Sequence, residues 1–242
     1  YQGVPPQFIV LGVDDIRNVE GTEILLDIVE DLRDKGARVV FTLWCTSHLD
    51  HKTGQESLER IKMLWQRLFD LGCEICNHTM NHNLNGVNWF ARPTHEEQIR
   101  EIEGHRDWLR KNIYGLWYLY SFKGGGGGQG KAIDWKFSQE LLKRQHFEYY
   151  GRRGQHPDIQ FWPYKLGDQW TIDQGCLDGD APPVHQNIIR KIHSDYPGQF
   201  YFKSLKEAIA MWKANFEYHY NLPNRPPLII NAFHDWGFKP HR

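Results

Sequence analysis

The sequence predicts an α/β fold built on a parallel sheet. Three observations carry that expectation. Apolar runs of strand length alternate with segments of helical periodicity. Those runs lack the in-out polar alternation of a half-exposed strand, so they suit strands covered on both faces. Polar residues with chemical potential stand where the runs end, and folds of this class place their sites at the carboxyl ends of strands.

The elements run in order along the chain. "QFIVLGVDD" is an apolar run over 8–13 that stops at Asp14-Asp15. In "GTEILLDIVEDLRDKG", Ile24, Leu25, Ile28, Val29 and Leu32 recur at helical spacing, and Gly36 is a stop signal. "ARVVFTLW" (37–44) reads as the second strand, and "ESLERIKMLWQRLFDLG" as an amphipathic helix closed by Gly72. "CEIC" is a short third strand with His78 and His82 just beyond it. Thr94 and Glu97 form a capping box for a helix reaching about Ile113. "LWYLYSF" (116–122) predicts a strand, 134–145 a helix and "FEYY" a short strand. Residues 151–199 are rich in Gly, Pro, Asp and aromatics and predict a long surface loop. Ser204 and Glu207 cap a helix to about Tyr218, and "PLIINAFHD" is a final strand ending at His234-Asp235. No linker divides the chain, so a single domain over 1–242 is expected.

Composition narrows the function. With 242 residues, Lys+Arg 29 against Asp+Glu 30 and a net charge of -1, the chain lacks the basic excess that nucleic acid or an acidic membrane selects. A domain of this size buries roughly three quarters of its unfolded surface, so it needs neither disulfides nor metal to hold a core. No apolar run approaches the ~20 residues of a membrane helix. The chain opens at Tyr1 and shows no signal peptide, which fits a processed precursor or a trimmed fragment. "GGGGGQG" lacks the Lys-Ser/Thr of a phosphate loop, because Ala132 follows Lys131, and reads as a flexible connection.

"CEICNHTMNH" puts Cys73, Cys76, His78 and His82 within ten residues. A zinc finger needs about a dozen residues between its ligand pairs, and only Asn77 separates Cys76 from His78. A redox dithiol opens a helix, whereas this pair lies in a strand. Residues three apart on a strand face opposite ways, so the cysteines read as buried packing. Two histidines at i and i+4 past a strand end can converge on one metal. A catalytic zinc takes three protein ligands and keeps an open position, and Asp14-Asp15 offers a carboxylate at another strand end. Paired aspartates are costly unless a cation accompanies them.

These residues resemble a known family. "VLGVDD", "EICNHTMNH" and "LIINAFHD" are similar, in order and rough separation, to three signature motifs of the polysaccharide deacetylases, the NodB-homology or carbohydrate esterase family four. "ARVVFTLW", "FWPYKL" and the stretch leading to His234 resemble the larger chitin deacetylase-like members, so the likeness covers most of 7–238. It implies a distorted (β/α)7-type barrel of parallel strands that here stops short of a last helix and strand. It further implies Asp15, His78 and His82 as ligands of a divalent metal, most often zinc, with Asp14 as general base and His234 as general acid. Thr79 would shape the histidine loop.

The implied activity is removal of N-acetyl groups from a chitin-like glycan by metal-activated water, outside the cell, at its surface or in the periplasm. Trp162, Tyr164 and Trp236 would stack on sugar rings. Two departures stand out. The Arg-x-Pro motif that orients the base is missing, with Ser121 or Lys123 near its place and Arg152 or Arg153 as substitutes, and the Asp that tunes the acid is absent near Tyr150. Two alternatives arise: a catalytically impaired glycan-binding or structural protein, and an O-acetyl esterase acting on a xylan-like glycan.

Overall fold

The computed structural model describes residues 9–37, 39–47, 55–82, 93–123, 135–144, 149–153, 164–166, 169–174, 206, 209, 210, 213, 217, 220, 221 and 228–234. Among the described residues eight strands form one sheet: β1 Ile9–Ile16, β2 Phe41–Cys45, β3 Glu74–Asn77, β4 Ser121–Lys123, β5 Tyr149–Arg153, β6 Tyr164–Leu166, β7 Gln169–Gln174 and β8 Leu228–His234. Their order is β6-β7-β5-β4-β3-β2-β1-β8. All pairings are parallel except β6 with β7, so seven strands run one way. β7 and β8, far apart in that order, nevertheless lie against each other. A sheet curled until its ends approach fits the distorted barrel expected from the sequence.

Two helices stop by the same device. α1 (Val19–Asp34) starts at Asn18, whose side chain accepts from Gly21 N at 3.0 Å. It ends at Gly36, in the left-handed region at φ 79. Gly36 N donates to Arg33 O and Ala37 N to Leu32 O, the paired bonds of a Schellman turn. α2 (Gln55–Asp70) ends identically at Gly72 (φ 91), with Gly72 N on Phe69 O and Cys73 N on Leu68 O. Each turn feeds the chain towards the next buried strand. The core between sheet and helices includes Val13, Leu25, Leu43, Trp65, Leu68, Ile75, Leu109 and Phe122.

The helix predicted from Thr94 is capped as expected: Glu97 N donates to Thr94 Oγ1 and Thr94 N to Glu97 Oε2. Its interior is not regular. α3 (His95–Ile99) passes through a π-turn (Arg100–Gly104) into α4 (His105–Asn112). α5 covers Trp135–Arg144, and the described residues of 206–220 are helical.

Other expectations shift. Only the end of "LWYLYSF" joins the sheet, as β4. Leu116 and Leu119 are buried while Trp117, Tyr118 and Tyr120 are exposed, a spacing of three that a strand cannot satisfy on one face. The stretch 151–199, expected as loop, holds the end of β5 and all of β6 and β7. Those strands are short, and their aromatic and polar residues lack the apolar runs that mark a buried strand. The glycine run, Ser204 and Glu207 lie outside the described residues.

Candidate metal centre

The end of β1 is where the sheet becomes a site. Val13 pairs with Leu43 but Ile16 pairs with Cys45, so β1 carries one residue more than β2 across this step. Such a bulge breaks the alternation of faces and re-aims side chains. Asp15 takes the strain, with φ 55. Both aspartates are buried as a result, Asp14 at 1% and Asp15 at 7% exposure.

His78 follows β3, its backbone N–H donating to Cys45 O at 2.9 Å and so prolonging the ladder to β2. The chain then turns through Thr79 (φ 72) to His82 (φ 57). Left-handed backbone at a non-glycine residue costs about 1–3 kcal/mol and persists only where surroundings enforce it. Asp15, Thr79 and His82 all carry it, and together they bring the Asp15, His78 and His82 side chains to one place. Asp15 Oδ1 lies 3.1 Å from His78 Nε2 and 2.8 Å from His82 Nε2. One donor atom from each of Asp15, His78 and His82 falls within a 4.8 Å cluster.

The tautomer of His78 tests whether a cation fits. His78 Nδ1 is 2.9 Å from the carbonyl oxygen of Lys123. A carbonyl only accepts, so Nδ1 carries the proton and Nε2 of the neutral ring presents a lone pair. Burial holds the His78 imidazole below its ordinary pKa, against the opposing pull of Asp15 and Asp14. A carboxylate oxygen of Asp15 and the Nε2 lone pair of His78 thus face each other at 3.1 Å. Two acceptors at that distance call for a cation between them. A carboxylate and two imidazoles, one fixed by a backbone carbonyl on its other nitrogen, form a donor set that suits a divalent metal.

Asp14 faces a different partner. The Lys123 ammonium, at the end of β4, forms an ion pair with Asp14 Oδ2, and Lys123 is 0% exposed. The same ammonium sits over the Trp44 ring, 5.9 Å from its centroid. Of the residues weighed for the missing arginine, Lys123 therefore contacts the aspartate. Ser121 instead donates to Glu74 Oε1 at 2.9 Å. Arg152 and Arg153 lie in β5, in register with Asp173 and Gln174 of β7. β8 reaches the site as well: a bulge beside Gly12 and Val13 admits one extra residue, and His234 comes into register with Asp14.

The remaining expectations divide. Tyr164 belongs to β6, while Trp162, Trp236 and Cys176 lie outside the described residues. Cys45, Cys73 and Cys76 are buried thiols. Burial raises the Cys73 thiol, and burial with the Glu74 charge raises Cys76 well above its ordinary range. These thiols are poor nucleophiles. In a Cys176→Ser background, iodoacetamide at mildly alkaline pH should label none of the three before unfolding and all three after it, read by intact mass.

Spacing alone gave no sign of a polar cluster behind the histidine loop. Asn77, His105, Asn81 and Glu101 are all buried there. Asn77 Oδ1 accepts from Thr79 N at 2.8 Å and from His105 Nδ1 at 2.9 Å, while its amide donates to Ile102 O at 2.8 Å. Thr79 thus shapes the turn through its backbone.

A family model described as polysaccharide deacetylase matches residues 2–132, more than half the chain. None of the curated proteins compared matches the chain. Among solved structures, a Streptococcus mutans CE4 esterase aligns with TM-score 0.57 and 13% identity over 96% of this chain and 75% of its own. A CE4 family pseudoenzyme from Bacillus anthracis aligns with TM-score 0.43 and 10% identity over 61% of this chain and 44% of its own. A mutant of that pseudoenzyme with restored activity aligns at TM-score 0.43 and 11% identity, over 61% of this chain and 45% of its own. The chain thus spans under half the length of these last two. The likeness to the esterase shows a shared fold.

Proposed function

Because the chain belongs to the polysaccharide deacetylase family, we propose that it is a metal-dependent hydrolase that removes N-acetyl groups from a chitin-like glycan. The observation that carries this reading is the convergence of Asp15, His78 and His82, with His78 Nε2 turned towards Asp15 at 3.1 Å. These three residues would hold a divalent ion, most simply zinc, which supplies charge to polarise an acetyl carbonyl and acidify a water.

The other roles fall to the chain's own groups. Asp14, kept beside the Lys123 ammonium, accepts the proton of the attacking water at its carboxylate. His234, in register with Asp14, donates a proton to the departing amine, which leaves poorly without one. Trp162, Tyr164 and Trp236 are assigned to sugar stacking. A glycan substrate places the protein outside the cell, at its surface or in the periplasm. Among the described residues no helix is long and apolar enough to cross a membrane.

Acetate release from chitin oligosaccharides by the zinc-loaded protein is the test. Release that stops on chelation and returns with zinc is expected. His234→Ala should slow it by about 10²–10⁴-fold, the usual share of general acid catalysis. The same variant should lose less on an acetyl ester, whose alkoxide leaves more readily. No acetate at high enzyme, with metal and glycan still bound, would leave a non-catalytic glycan-binding protein. Release from acetylated xylan but not chitin would make it an O-acetyl esterase.

A further inference from the structure

We infer that Glu101 is a positioning residue for the metal site, setting the His82 arm by clamping the residues just before it. The inference rests on the metal reading above and concerns this chain's own loop. Residues 79–82 leave the sheet, beyond the ladder bond that fixes His78. Glu101 supplies what the ladder does not. Its carboxylate accepts from Asn81 N at 2.8 Å and from Asn81 Nδ2 at 2.9 Å, so both oxygens engage one residue. Its backbone carbonyl accepts from Met80 N at 3.1 Å. From the opposite side, the hydroxyls of Thr46 and Ser47 each donate to Met80 O at 3.2 Å. The Met80–Asn81 peptide is therefore held from both sides, immediately before a ligand in left-handed conformation.

The irregular helix explains how Glu101 reaches this position. It lies in the π-turn Arg100–Gly104, and single π-turns recur at functional sites. Gly104 closes the approach: a Cβ there would come within 3.1 Å of Met80 Cε. Among the described residues no ion pair neutralises Glu101. Its charge is met by the two N–H donors of Asn81, with Glu101 only 1% exposed. A neutral side chain could tie down a loop at less desolvation cost, so the bidentate carboxylate points to tight placement of the adjoining ligand, His82.

Zinc affinity by chelator competition and the absorption spectrum of the cobalt form test this without reference to turnover. Glu101→Ala should weaken zinc by about 10–100-fold, the range found for supporting partners of metal ligands, and should shift the cobalt bands. Asn81→Asp should weaken it too, since two carboxylates then face each other. Combining Asn81→Asp with Glu101→Gln keeps the pair's total charge and restores a complementary donor and acceptor. That double variant should return to within about threefold of the parent and regain the parental cobalt spectrum. A residue with a merely structural role would change folding stability while leaving zinc affinity and the cobalt bands at the parental values. Parental affinity and spectrum in Glu101→Ala would overturn the inference. So would a double variant no better than Asn81→Asp, which decides the matter even if Glu101→Ala fails to fold. A parent that takes up no metal would overturn the metal reading along with it, and that result is visible before any variant is made.

Discussion

Lys123→Met lowers folding stability by about 3–5 kcal/mol, the cost of leaving one partner of a buried ion pair alone. The midpoint of urea denaturation falls accordingly. The cause is burial: Lys123 is 0% and Asp14 1% exposed, so water cannot solvate the carboxylate once the ammonium is gone. Methionine keeps most of the stem that packs near Trp44, which confines the change to charge. Removing both partners, with Asp14→Asn added, should recover most of the loss, because a neutral pair no longer strands a buried charge. If the single and double variants were equally unstable, packing rather than charge would explain the effect. Lys123→Arg should retain an ion pair while straining a site shaped for a slimmer ammonium.

The second large effect concerns the three residues proposed to hold the metal. Asp15→Ala or His82→Ala should abolish stoichiometric zinc, lowering affinity beyond the roughly 100-fold that loss of a supporting partner costs. Two of the three converging donors cannot close a site alone. Cys73→Ser and Cys76→Ser should leave the stoichiometry unchanged, because both thiols are buried in the protein interior with raised pKa. Equilibrium dialysis with metal analysis reads both outcomes. Metal lost from the cysteine variants and kept in Asp15→Ala would reassign the centre.

Much of this architecture was legible in the sequence because it depends on short-range rules. The apolar run before Asp14-Asp15, the helical spacing of Leu25 and Val29 and the glycines at 36 and 72 each report a local preference. The capping box at Thr94 is another. The grouping of Asp15 with His78 and His82 came from strand-end logic and family likeness.

What escaped depends on partners distant in sequence. Lys123 was one candidate among several, since a lysine closing a short strand has no pattern that says it turns inward to Asp14. Glu101 sits on a helix whose π-turn changes its facing, and helical periodicity cannot anticipate that. The bulges at Asp15 and in β8 are likewise set by pairing between strands. β6 and β7 were hidden because their polar and aromatic residues carry no apolar run.

The most direct test of the metal centre is anomalous diffraction from crystals grown with zinc. One peak is expected, at about 2.0–2.2 Å from an Asp15 carboxylate oxygen and from Nε2 of both His78 and His82. A peak on the cysteines, or none beside Asp15 in a zinc-saturated protein, would contradict it.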